Sequence, residues 1–372
     1  MEVDSRRGAD AWRSRARSFA EREIDPIVGA IDREDRLPPS VRSGLAEAGF
    51  FGVGLPKEFG GSGDDTRATV AVLEELSHAS AAVATMVAVH LSVAAQPIAR
   101  WGSDRLKEKH LRGLSSGRLL GAFALTEPGG GSDAAGLQCR YAHEGGGYRL
   151  EGSKTFITNA GLADLVLVFA TRDPALGHRG ISAFVLPKGT TGFRVQPTFQ
   201  KLGLRGSETV EFSLTDVRLP EEAMLGPEGD GLKVALSALA GGRVGIAACA
   251  VGVARAAFEQ MQRAARKDPS DWKRAIVARS FTELSASQAL LESAVRAKDS
   301  GGEFVTEASA AKLFASRAAV GIASAGMDVA GRESARSGSA AERLLRDARV
   351  FPIVEGTTEI QELILGRSLL EG

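Results

Sequence analysis

The spacing of apolar residues changes twice along this chain, and that change limits the folds open to it. From residue 11 to about 114 the spacing is helical, with segments at 70–78 and 81–95 and Gly/Pro-rich punctuation at Leu55-Pro56-Lys57-Glu58-Phe59-Gly60-Gly61. Between about Leu119 and Leu225 it gives way to short β-type runs at 148–151, 154–157, 165–170, 181–186, 193–195 and 209–219. In the last of these Val210, Phe212, Leu214 and Val217 lie mostly two apart, which buries one face of a strand and wets the other. Helical spacing returns at Gly231 and holds to the end, broken near Asp268-Pro269-Ser270 and Ser300-Gly301-Gly302. The pattern predicts an α+β multidomain chain with helices over residues 1–118, a β-domain over 119–225 and helices over 226–372.

A chain of 372 residues can bury a large core and hold a ligand cleft between subdomains. Lys plus Arg and Asp plus Glu number 46 each, so no global field points to nucleic acid or an anionic membrane as a partner. Cys139 and Cys249 have no metal-ligand spacing and cannot form a disulfide framework, which fits a reducing compartment and packing roles. The N-terminus mixes acids with arginines and lacks a leader's apolar stretch. The most apolar segment, 81–99, is interrupted by Thr85, His90, Ser92, Gln96 and Pro97. These features predict a soluble, cytoplasmic protein. The five histidines show no paired ligand spacing, so no metal site is expected.

Four places could carry chemistry. In Phe123-Ala124-Leu125-Thr126-Glu127-Pro128-Gly129-Gly130-Gly131-Ser132-Asp133, three glycines let backbone N–H groups approach a ligand and two hydroxyls can bond ring or carbonyl atoms; a plain turn would look the same. In Phe156-Ile157-Thr158-Asn159, a flat ring could stack on Phe156 while Thr158 bonds its edge, if strand alternation puts both on one face; an ordinary core Phe beside a turn Thr fits equally. Glu355 sits after Pro352 and before Gly356 in a short loop, ahead of a helix that Thr358-x-x-Gln361 would cap as a capping box. A surface carboxylate is the plain alternative, against a base placed at the positive end of a helix. Arg243 lies in the small, apolar stretch 236–253 and must pair or reach a ligand there.

In order and together these segments resemble the acyl-CoA dehydrogenase family. Its Thr-Glu-Pro-x-x-Gly-Ser-Asp loop, aromatic-Ile-Thr-Asn strand end and Glu-Gly-Thr-x-x-Ile-Gln stretch read here as Thr126 to Asp133, Phe156 to Asn159 and Glu355 to Gln361, and the similarity takes in residues 201–207 and 343–347. The resemblance implies an N-terminal helical domain, a middle antiparallel β-domain and a C-terminal four-helix bundle, assembled as a homo-oligomer, a dimer or tetramer. It implies FAD held by Phe123, Leu125, Thr126, Gly131, Ser132, Phe156, Ile157 and Thr158, with Thr357 and Glu359 on the other side. Ser132, Arg243 and Gly356 would line the substrate path, and Glu355 would be the catalytic base. The implied reaction, part of fatty acid metabolism, is α,β-dehydrogenation of a short or modified acyl-CoA. Glu355 takes the α-proton and the β-hydrogen leaves as hydride to flavin, whose electrons pass to an electron-transferring flavoprotein.

Some positions differ from the family's pattern. Most members carry Trp where this chain has Phe156, which preserves stacking. Ala240 stands where Asp often precedes Gly241-Gly242-Arg243. The Arg-x-x-Phe-Gly segment has no counterpart after Ala265, and Asp328-Val329-Ala330-Gly331-Arg332-Glu333-Ser334 replaces a Gln-x-x-Gly-Gly-x-Gly turn, leaving Arg332 and Arg336 as the nearest cations for a dinucleotide phosphate. These differences keep open a dehydrogenase of carrier-protein-bound acyl groups, and a non-catalytic thioester-binding protein with weakened FAD binding.

Overall fold

The computed structural model describes residues 2–371. Seven helices come first: α1 (Glu2–Phe19), α2 (Val28–Glu34), α3 (Pro39–Glu47), α4 (Thr66–Ala79), α5 (Ala81–Ala88), α6 (Gln96–Trp101) and α7 (Asp104–Ser115). Side-chain oxygens start three of them: Asp65 accepts from the Ala68 N–H, Ser80 from Val83 and Ser103 from Leu106. The segment between α5 and α6, Val89–Ala95, continues the helical path with wider, π-type turns. It presents His90, whose Nδ1 accepts from the Gly121 N–H at 3.2 Å. Burial pushes this imidazole down to about 4, so it stays neutral and serves packing.

The middle of the chain forms one eight-stranded sheet: β1 (Gly121–Ala124), β2 (Arg140–Glu144), β3 (Gly147–Thr158), β4 (Leu165–Thr171), β5 (Ile181–Pro187), β6 (Phe193–Val195), β7 (Thr209–Pro220) and β8 (Met224–Leu225). Its order is β6-β7-β3-β2-β4-β5-β8, with β1 paired to β4. Most pairs are antiparallel as expected, but β1 runs parallel to β4, and β2 meets β4 in parallel at Arg140 opposite Thr171. Two runs that the sequence separates, 148–151 and 154–157, are halves of β3, whose pairing with β7 slips at Leu150/Gly152 and again at Lys154/Ile157. The second slip is a bulge, and Phe156 lies within it with φ of 57°.

Three long helices follow, α8 (Gly231–Lys267), α9 (Asp271–Asp299) and α10 (Val305–Ala330), and then α11 (Ala340–Ala348) and α12 (Thr358–Glu371). Both breaks fall where the sequence puts them, and Ser270 caps α9. With α12 laid on α10 these form the C-terminal helical bundle. The stretches Ala81–Trp101 and Gly231–Lys267 are long and apolar enough to cross a membrane, yet 89% and 78% of their most apolar windows are buried inside the fold.

Two charge clusters tie the parts together. Glu75 on α4 meets Arg13 and Arg17 of α1 and Arg255 of α8 at 2.8–3.1 Å. Burial opposes its ionisation, but the hydrogen bonds and charges of Arg255 and Arg17 outweigh it and bring the carboxyl to about 2. The second cluster joins residues 201–207 to α2 and α11. Arg346 grips both oxygens of Asp32 at 2.9 and 2.6 Å, Asp347 accepts from the Leu204 N–H at 2.7 Å, and the Arg205 guanidinium donates to the Asp32 carbonyl at 2.6 Å. The segment between β6 and β7 is thereby fixed to α2 of the N-terminal helices and to α11 at once.

Candidate active site

The loop between α11 and α12 carries Glu355 with left-handed backbone, φ of 54°, followed by Gly356 at 89°. A non-glycine residue pays about 1–3 kcal/mol for that conformation, so the surroundings must impose it. They do so through buried Gln361, whose amide donates to the carbonyls of Glu355 at 3.3 Å and Gly356 at 3.0 Å, and through buried Lys312 of α10, which donates to the Gly356 carbonyl at 2.7 Å. A side chain at 356 would place a carbon 2.6 Å from Nε2 of Gln361, so glycine is required there for space as well as for φ.

The cap is one residue earlier than the spacing suggests. Thr357 accepts from the Ile360 N–H at 3.4 Å, while Thr358 is already helical, with its own N–H bonded to the Pro352 carbonyl at 2.8 Å. Gln361 turns back to loop carbonyls instead of an N-cap N–H. The capping-box reading is therefore corrected: the glutamine fixes the loop, not the helix start.

Glu355 itself is half-buried as a residue, but its Oε2 is enclosed and has no hydrogen-bond partner. The carboxyl lies against Gly242 of α8, where an added side-chain carbon would stand 2.6 Å from Oε2. Burial raises it to about 7, while the charges of Arg243 and Lys312 pull the other way. Arg243 is buried, its Nε is unpaired, and its Nη1 reaches the Ser309 hydroxyl at 3.5 Å. Burial also pushes the Lys312 ammonium down to about 8. The structure thus gathers Glu355, Gly356 and Arg243 into one cluster and adds Gly242, Lys312 and Gln361. The sequence signal for Lys312 resembles that for Arg243: a lone cation on a helical face otherwise made of Ala308, Ala311 and Ala315.

On the sheet, Leu125 and Ile157 are buried, Phe123, Thr126 and Thr158 are half-buried, and Gly131 and Ser132 are exposed. The bulge interrupts the alternation on which a shared face for Phe156 and Thr158 depends. It lifts Phe156 out to 65% exposure, its ring 5.1 Å from that of Phe199. The glycine loop is shaped from below by Lys154, fully buried, which pairs with Glu127 at 2.7 Å and donates to the Leu125 carbonyl. Glu127 also accepts from the N–H groups of Gln138 and Cys139. The Thr155 N–H bonds the Thr126 carbonyl at 3.0 Å, which brings the Thr126 loop and the Phe156 bulge side by side.

Thr357 is half-buried and Glu359 exposed on the first turn of α12. Arg332 and Arg336 are exposed, both beside Glu333, at 3.8 and 3.1 Å. A cleft of about 410 Å³ opens behind the glycine loop, lined by Glu127, Asp133, Cys139 and Ser153 among others, and one of about 430 Å³ lies at the α8–α9 turn around Phe258, Lys273 and Phe281. Neither is lined by Glu355, so the Glu355 cluster stands on its unpaired polar atoms and not on cavity size. Among the described residues no group of three or more His, Cys, Asp or Glu could hold a metal.

Residues 8–118, 122–217 and 229–370 match the N-terminal, middle and C-terminal domains of acyl-CoA dehydrogenase, respectively. An acyl-CoA dehydrogenase of Bacillus subtilis (strain 168) is 41% identical over 369 residues, 97% of each chain. Butyryl-CoA dehydrogenase from Megasphaera elsdenii shares the fold with a TM-score of 0.95 at 33% identity, covering 98% of both chains. A prolyl acyl carrier protein oxidase superposes with a TM-score of 0.94 at 27% identity, over 97% of this chain and 98% of its own. With matches to all three domains and near-complete coverage of its relatives, the chain belongs to the acyl-CoA dehydrogenase family.

Proposed function

We propose that the chain is an FAD-dependent dehydrogenase that converts a short or modified acyl-CoA to its trans-2-enoyl thioester, with Glu355 as the base. The observation that carries this reading is the enclosed, unpartnered Oε2 of Glu355 between two cationic side chains. An unpaired buried acceptor is costly in a resting protein and useful where a substrate C–H is to be placed against it. A pKa near 7 lets one carboxyl accept a proton and later release it near neutral pH.

The residues present fit FAD. Phe156 offers an exposed ring beside the Thr126 loop, and that loop supplies N–H groups and hydroxyls without side-chain bulk at Gly129, Gly130 and Gly131. In this reading Phe123, Leu125, Thr126, Gly131, Ser132, Phe156, Ile157 and Thr158 hold the ring system, and Thr357 and Glu359 meet it from the start of α12, the first as its cap and the second on its first turn. Bound FAD would supply the acceptor for the substrate's β-hydrogen as hydride. Glu355 takes the α-proton on Oε2. In the same reading Ser132, Arg243 and Gly356 lie along the path of the acyl thioester. An electron-transferring flavoprotein is the proposed oxidant of the enzyme. A homo-oligomer, a dimer or tetramer, belongs to the same reading.

A carrier-protein-bound acyl group is the second reading, favoured by Ala240 and by the likeness to the prolyl carrier protein oxidase. The test is anaerobic flavin bleaching by a panel of acyl-CoAs and acyl-carrier proteins, in wild type and Glu355→Gln. The variant should keep its fold and flavin while reduction slows by about 10² to 10⁴, the usual worth of a positioned base. Reduction at the wild-type rate would remove Glu355 from the role.

A further inference from the structure

Lys312 has no exposed surface and, among the described residues, no salt bridge; its one hydrogen bond goes to the carbonyl of Gly356 at 2.7 Å. Burying an ammonium costs far more than burying an amide, so a carbonyl pin alone would be served better by a neutral donor. The charge acts on its neighbour, the Glu355 carboxyl, and the two pull on one another. One helical turn earlier on α10, Ser309 accepts from Arg243, so a single helix face sets both cations around the same acid. The charged groups facing this spot are Arg243 from α8, Lys312 from α10, Glu355 from the loop and Glu359 from the first turn of α12.

We propose that Lys312 is a positioning residue that fixes the Glu355–Gly356 peptide and, by its charge, keeps a working fraction of Glu355 ionised. The proposal rests on Glu355 being the base. Arg243 is held by a distant hydroxyl and has an unpaired Nε, which leaves it free to meet substrate, whereas Lys312 is committed to the loop. The division gives one cation to the ligand and one to the acid.

The experiment follows the Glu355 carboxyl directly. The protein, labelled with ¹³C-carboxyl glutamate, is titrated in the infrared, and the Glu355 band is identified by its loss in Glu355→Gln. Lys312→Met should raise the ionisation midpoint by about one pH unit, a tenfold gain in proton affinity, as expected for loss of a neighbouring opposite charge. Lys312→Gln, which keeps an amide donor on a side chain one bond shorter, should show the same rise, and Lys312→Arg should stay near wild type. A midpoint in Lys312→Gln equal to wild type would overturn the proposal by leaving only a mechanical pin. Because Lys312→Gln keeps a polar donor in place of the charge, it decides the matter even where Lys312→Met folds poorly. The base assignment is decided separately by flavin reduction in Glu355→Gln, so either idea can fail without the other.

Discussion

Gly242 of α8 lies flat against the carboxyl of Glu355, so that a side-chain carbon on it would come within 2.6 Å of Oε2 and 2.8 Å of Cδ. These residues are 113 positions apart, and their contact places the acid on the helix. In a helix interior Gly to Ala is normally favourable by about 1 kcal/mol, since glycine loses more backbone freedom on folding. Gly242→Ala therefore sets a local gain against a clash with the carboxyl. The variant should melt within a few degrees of wild type while substrate-dependent flavin reduction falls at least tenfold, because the acid must swing away. Unaltered reduction kinetics in a folded Gly242→Ala protein would show that the carboxyl does not work from this position.

Glu355 also sets a pH dependence whose sign can be worked out. Its folded pKa, about 7, lies above the ordinary 4.5 because burial disfavours the charged form. As a base it is useful only when ionised, so the flavin-reduction rate should climb through an acid limb near pH 7. For stability the direction is opposite. The native state binds this proton more tightly than the unfolded chain, so this group's contribution is full below about 4.5 and is lost as pH rises toward 7. Denaturation of wild type and Glu355→Gln at pH 5 and pH 8 checks it: the stability difference between the two should move with pH in wild type's disfavour, and a constant difference would contradict the shift.

Phe156 is the large aromatic side chain lifted by the bulge in β3. An aromatic stacking contact contributes about 0.5–1.5 kcal/mol beyond burial. Phe156→Ala should weaken FAD affinity by roughly 2- to 10-fold and shift the flavin absorption, read by fluorescence on dilution. Affinity and spectrum identical to wild type would put the ring elsewhere.

Much of this site is legible in the sequence, and what is not has a physical reason. Glu355, Gly356 and Arg243 stand out locally because each breaks its surroundings: an acid beside a glycine after a proline, and a cation in an apolar helix. The three-part order of helices, sheet and helices follows from period alone. The parallel pairing of β1 with β4 does not, since period reports faces and not partners. The bulge at Phe156 is invisible for the same reason: alternation assumes a regular ladder. Lys312 reaches Gly356 across 44 positions and Arg346 reaches Asp32 across 314, distances over which spacing carries no information. The shift of the cap from Thr358 to Thr357 is a smaller matter of the same kind, because Gln361 is claimed by loop carbonyls that only the folded loop presents.

The buried pair beneath the glycine loop gives the last prediction. Lys154 and Glu127 are almost wholly enclosed, 2.7 Å apart, and Glu127 also holds the N–H groups of Gln138 and Cys139. Removing one member of a buried pair strands the other charge and costs about 3–5 kcal/mol, whereas replacing both with neutral groups costs much less. Lys154→Met should therefore lower the denaturant midpoint strongly. Glu127→Gln combined with Lys154→Met should recover a good part of it, because no unpaired charge is left buried and the glutamine carbonyl still accepts from one of the two N–H groups that the carboxylate oxygens hold. The loop that these residues shape carries Thr126 and Ser132, so FAD affinity should fall in the single variant and return toward wild type in the double. If the two single substitutions simply add in the double variant, the pair is not coupled, and the shape of the glycine loop must come from its backbone bridge between Glu127 and Gly130.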